Sequence, residues 1–96
     1  MHYLLFYDYS PDYLERRGQV RGEHLKLAWA AAERGELVLG GVLAALVHTG
    51  VLLFCSPDVV ERFVAADPYM ANGLVVSYRV RHWDTVVGEL AANPVR

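Results

Sequence analysis

The sequence predicts an α+β domain with the element order βαββαβ, and three observations carry that expectation. Two runs, Tyr3 to Tyr7 and Val51 to Cys55, are apolar throughout, the pattern of strands covered on both faces. Each is followed by the same tripeptide, Ser10-Pro11-Asp12 or Ser56-Pro57-Asp58. In that tripeptide serine can cap a helix, proline suits its first position and aspartate complements its dipole. The last run, Leu74 to Trp83, alternates instead, with Val76, Tyr78 and Val80 on one face and Ser77, Arg79 and Arg81 on the other. Such alternation belongs to an edge strand with one wetter face.

Taken in order, strand Tyr3 to Tyr7 opens the chain, and Asp8 at its end is expected to satisfy turn backbone. Gly18 and Gly22 argue against one continuous helix from Pro11. A helix from about residue 20 to residue 34 puts Leu25, Ala28, Trp29 and Ala32 on one stripe, read as core, and Gly35 supplies the stop. The second strand, Leu37 to Leu43, carries Gly40-Gly41, which suggests a bulge or a close backbone approach. After strand Val51 to Cys55, a helix buries Val59, Val60, Phe63 and Val64. Asp67-Pro68 ends that helix, because a residue before proline avoids the helical region. Residues 84 to 92 are expected to form a short terminal helix that reaches a neighbour.

This order is the ferredoxin-like split βαβ arrangement, in which two helices cover one face of a four-stranded antiparallel sheet. Two helices shield only that face, yet the first and third strands are apolar on both. The other face is therefore expected to pack on a second copy of the chain. A domain of 96 residues with 54% hydrophobic content and a net charge of -2 is compact and buries little enough core to gain from such a partner. Assembly beyond the homodimer stays open.

Composition also narrows the function classes. Cys55 has no partner for a disulfide and, inside an apolar run, reads as a buried structural thiol. The N-terminus has no signal-peptide pattern, and no apolar stretch reaches the roughly 18 residues of a membrane span. A cytoplasmic location without membrane contact is the expectation. His2, His48 and His82 lack metal-ligand spacing and read as surface or interface residues. Gly40-Gly41 precedes no helix and so forms no phosphate-cradling loop. No cofactor or metal is expected. Val51 to Cys55 lacks the basic, aromatic signature of an RNA-binding strand, and Arg16, Arg17 and Arg21 alternate with acids as a solvated helix face does. Nucleic acid is not an expected partner.

His24 and Asp67 are the one acid/base candidate pair in the chain. A carboxylate at the C-terminal end of a helix meets an unfavourable dipole and seeks a donor, which His24 or Arg21 could supply. An imidazole held through one nitrogen by a carboxylate keeps the other free for proton transfer near neutral pH. Arg21 lies one helical turn before His24 and could anchor an anionic group. The competing reading makes Asp67 an N-cap for a turn through Tyr69 and Met70, and His24 a satisfied interfacial residue. Tyr69 is read either as pocket lining or as packing. Ser77 is either a donor into a cavity between sheets or an ordinary strand serine.

The residues resemble the YciI-like (YCII-related) family of the dimeric α/β-barrel superfamily over nearly the whole chain. The resemblance rests on the opening Tyr3 to Tyr7 strand, Arg21-x-x-His24-Leu25, Glu33-Arg-Gly-Glu-Leu37 leading into Gly40-Gly41, Asp67-Pro68-Tyr69 and Asn72-Gly73-Leu74-Val75. It implies a ferredoxin-like protomer that pairs through its sheet, with an active site on a histidine and an aspartate that map onto His24 and Asp67. It also implies lyase-like or isomerase-like chemistry on small oxygenated ring compounds. Many relatives place a proline and an acid in the turn after the glycine pair, where this chain has Ala44 to Gly50. The expected function is cofactor-independent acid/base chemistry, an elimination, isomerisation or hydrolysis of a small polar or cyclic compound; the alternative is a dimeric ligand-binding or accessory module without turnover.

Overall fold

The computed structural model of the protein describes residues 1–45 and 48–96. Leu46 and Val47, part of the turn from Ala44 to Gly50, lie outside the described residues. Strand β1 (His2–Tyr9) leads into a one-turn helix α1 (Tyr13–Arg16), a 3₁₀ turn (Arg17–Gln19) and the long helix α2 (Arg21–Glu33). Strands β2 (Leu37–Val42) and β3 (Thr49–Phe54) follow, then α3 (Pro57–Ala66), the short α4 (Pro68–Ala71) and β4 (Val75–Trp83). The sheet order is β2-β3-β1-β4 and every pairing is antiparallel. This is the ferredoxin-like arrangement, with β2 and β4 at the edges.

Alternation along the strands sorts the two faces. Leu5, Tyr7 and Tyr9 of β1 and Leu52 and Phe54 of β3 are buried beneath the helices, where Val60, Phe63 and Val64 of α3 meet them. Serine and proline place α3 as expected: Ser56 is extended, its hydroxyl accepts from the Val59 amide, and Pro57 starts the helix. The first tripeptide behaves differently. The Ser10 hydroxyl donates to Asp12 instead, and α1 begins after Asp12 without a side-chain cap. Gly35, at φ 78°, closes α2 in the left-handed region that glycine tolerates.

Several sequence expectations are corrected by the packing. On α2 the buried side chains are His24 and Ala31, with Leu27, Ala28 and Ala32 packed beside them. Trp29 is 66% exposed and Leu25 39% exposed, so neither is core. The irregularity in β2 falls between Leu37 and Leu39, not at the glycine pair. Asp8 does not serve a turn; its carboxylate accepts from Ser77 and Arg79 across the sheet. Cys55 lies one residue past β3 and is exposed. The segment after β4 forms turns rather than a helix, held where Thr85 accepts from the Ala92 amide and bonds the buried His2 ring. Among the described residues no helix is long and apolar enough to cross a membrane.

One glycine is fixed by close approach. Gly50 sits opposite Tyr7 on β3, and a Cβ there would overlap the Tyr9 hydroxyl and lie 2.8 Å from Cζ of the same ring. Gly50→Ala is therefore expected to destabilise the protein by about 1–3 kcal/mol through overpacking. A urea melt reads the change; an unaltered midpoint would mean that Tyr9 swings aside at no cost.

Candidate active site

His24 enters the interior because α2 starts at Arg21 and its first turn faces the bend that follows α3. Asp67 makes that bend. Proline at the next position holds it extended (φ −74°, ψ 121°), so α3 stops and the carboxylate turns back over the start of α4. There Asp67 Oδ1 accepts from the Tyr69 amide at 3.0 Å and from His24 Nδ1 at 2.8 Å. Its other oxygen, Oδ2, accepts from the Tyr7 hydroxyl at 2.8 Å. The Asp67 side chain is wholly buried and His24 nearly so, at 11% exposure. The two sequence readings of Asp67 thus describe one arrangement: the residue caps α4 and holds His24 with the same oxygen.

Three contacts fix the imidazole. Asp67 is an acceptor, so Nδ1 carries the hydrogen and Nε2 keeps its lone pair. The Tyr69 ring stacks flat on His24, with centroids 3.8 Å apart and planes within 3°, and the Phe63 ring meets it edge-on at 6.2 Å. Among the described residues nothing hydrogen-bonds Nε2, and no buried side-chain nitrogen lacks a partner. Nε2 is therefore the atom open to solvent. His24 lines a cleft of about 380 Å³ between α2 and β2, a size suited to a small ligand.

Tyrosines crowd the inner end of the cleft. Tyr9 and Tyr13 stack at 3.8 Å, and Tyr69 meets both edge-on. Burial, and then the neighbouring Asp67 carboxylate, push the Tyr7 phenol well above its ordinary range. Burial and Tyr13 raise Tyr9 and Tyr69 in the same way. A phenol that ionises near 10 only when unfolded favours the native state below that pH and releases the advantage as pH climbs above it. Stability is expected to fall above pH 10, with Tyr7 adding a slope of at most about 1.4 kcal/mol per pH unit. Denaturant midpoints between pH 9 and 11 test this; a flat profile would refute it.

Of the residues singled out from sequence, His24, Asp67 and Tyr69 are in mutual contact, and Arg21 lies at the cleft surface. Ser77 is elsewhere. It stands on the uncovered sheet face, donating to Asp8 at 2.9 Å beside Arg79. Sequence reasoning passed over Tyr7, Tyr9, Tyr13 and Arg17. Their signal was present, since Tyr7 and Tyr9 share the covered face with Leu5 and a buried phenol needs a polar partner. Among the described residues no group of three or more His, Cys, Asp or Glu side chains gathers as a metal site would require.

The fold and this cleft define a ferredoxin-like α+β protein with a carboxylate-held histidine on its first long helix. The chain belongs to the YCII-related domain family, whose sequence pattern matches residues 1–84. Among solved structures it is similar to TftG of Burkholderia phenoliruptrix AC1100, a 5-chloro-2-hydroxyhydroquinone dehydrochlorinase in complex with 2,5-dihydroxybenzoquinone. That likeness has a TM-score of 0.75 at 22% identity and covers 88% of this chain and 95% of TftG. A NIPSNAP family protein of Agrobacterium tumefaciens C58 gives a TM-score of 0.56 at 17% identity, over 93% and 96% of the two chains. Another Agrobacterium tumefaciens protein gives 0.58 at 12% identity, over 96% and 98%. At these identities the likeness establishes the fold. No curated protein sequence matches the chain.

Proposed function

We propose that the protein is a cofactor-independent enzyme that moves a proton on a small oxygenated ring compound, with His24 Nε2 as the acid/base atom. The observation that carries this reading is the placing of the imidazole: Nδ1 is locked to a buried carboxylate, and the same side chain lines the cleft, which leaves Nε2 as the nitrogen available to a ligand. Asp67 fixes the tautomer and orientation, and Tyr7 and the Tyr69 amide fix Asp67 in turn. Nε2 takes a proton from a hydroxyl or ring carbon of the substrate. It returns that proton at another position in an isomerisation; in an elimination the C–H electron pair forms the new double bond, the leaving group departs as its anion, and Nε2 afterwards releases the proton to solvent. Arg21 holds an anionic oxygen of the substrate, and Tyr69 keeps the imidazole plane aligned. The dehydrochlorinase activity of TftG lends support to the elimination form of this chemistry.

The functional unit in this reading is a dimer. On the uncovered sheet face Leu4, Phe6, Val51 and Leu53 are only half-buried within one protomer, and Leu39 beside them is 71% exposed. A second copy laid on this face would bury that apolar strip. Light scattering at micromolar concentration is expected to give twice the chain mass, and a monomer would end the dimer reading. Catalysis has its own test. Halogenated and hydroxylated ring compounds are screened for turnover with native protein and His24→Ala. Conversion by native protein that the variant loses supports an enzyme; equal rates exclude His24, and binding without conversion of any compound favours a ligand-binding module.

A further inference from the structure

Charge around the cleft is segregated. The chain as a whole carries more acidic than basic side chains, 11 against 9. Yet the cleft is lined by Arg17, Arg21 and His24 and, among the described residues, by no carboxylate. The two guanidiniums come from consecutive turns before and at the start of α2. Neither makes an ion pair within the described residues, as Arg81 and Arg96 also do not, whereas Arg16, Arg34, Arg62 and Arg79 do. Arg17 is also held in place, its guanidinium 5.5 Å from the centre of the Tyr13 ring, which limits the side-chain freedom lost on binding. The cleft lining also includes the apolar side chains of Leu25, Ala28, Leu37 and Leu52.

We propose that Arg17 and Arg21 form an anion clamp that selects planar ring compounds already ionised at neutral pH, such as hydroxyquinonoid or carboxylated rings, over neutral rings of equal size. This deepens the proposed function and rests on the His24 cleft being the ligand site. A guanidinium offers a planar fork of donors that matches two neighbouring oxygens on a ring edge. The pair draws the charged edge to the cleft mouth and leaves the ring to lie along the apolar lining toward Nε2. Arg17 thereby becomes a specificity residue of this site, although it falls outside the Arg21-x-x-His24 motif.

The test compares two probes of similar size by calorimetry. One is 2,5-dihydroxybenzoquinone, a vinylogous acid ionised at neutral pH; the other is hydroquinone, which is neutral there. Native protein is expected to bind the anion at least tenfold more tightly than hydroquinone, and the preference is expected to shrink as salt is raised. Arg17→Gln and Arg21→Gln are each expected to weaken anion binding about three- to tenfold, with hydroquinone unaffected. Imidazole NMR signals of His24, assigned with His24→Gln, are followed in the same titrations. If the anion shifts those signals but the Arg17→Gln/Arg21→Gln double variant binds it as well as native protein, the clamp is wrong and the site reading stands. If the anion binds without shifting them, both fail. Equal affinity for the two probes, or binding of neither, also overturns the clamp.

Discussion

Asp67→Ala is expected to destabilise the protein by about 3–5 kcal/mol, a large part of the stability of a domain this small. The substitution strands three buried donors, the Tyr7 hydroxyl, the Tyr69 amide and His24 Nδ1–H, and removes the cap of α4. Asp67→Asn separates structure from charge. Its amide oxygen can take the place of Oδ1 and accept from His24 and Tyr69. Its NH₂ then faces the Tyr7 hydroxyl, which can rotate to accept. The asparagine variant is expected to stay within about 1–2 kcal/mol of native protein. Urea denaturation of the three proteins decides the matter, and an alanine variant as stable as the asparagine one would show that the buried donors find other partners.

His24→Gln is expected to lower turnover of any ring compound that the native protein converts by about 10²- to 10⁴-fold, the usual contribution of a positioned acid/base group. Glutamine can keep a hydrogen bond to Asp67 and cover Phe63, yet it offers no basic nitrogen to the cleft. The loss should therefore fall on kcat with little change in KM. A rise in KM with kcat unchanged would instead assign His24 to binding. Equal melting temperatures for variant and native protein would rule out unfolding as the cause.

The outline of this fold was legible in the sequence because its strongest signals are local. Ser56-Pro57 starts α3, Asp67-Pro68 ends it, and the alternation of Val76 to Arg81 marks β4 as an edge strand. The phase of α2 was not legible by hydropathy. The helix buries a histidine and turns a tryptophan outward, because the hydrogen bond to Asp67, 43 residues away, compensates the polar group. Likewise the apolar run around Cys55 gave no sign that the ladder ends at Phe54, beyond which the thiol donates to the Gly35 carbonyl at the surface. The motif residues His24 and Asp67 stood out by type and spacing, but the phenol that supports Asp67 from below looked like ordinary strand. Only the register of β1 aims Tyr7 at the bend.

A single oxygen atom, Asp67 Oδ1, both turns the chain and steers the imidazole. Backbone route and reactivity are consequently inseparable here: replacing Pro68 so that α3 ran on through position 67 would withdraw the acceptor from His24 at the same moment as it straightened the corner. Efforts to re-engineer the cleft would do best to leave that corner intact and vary the opposite wall on β2.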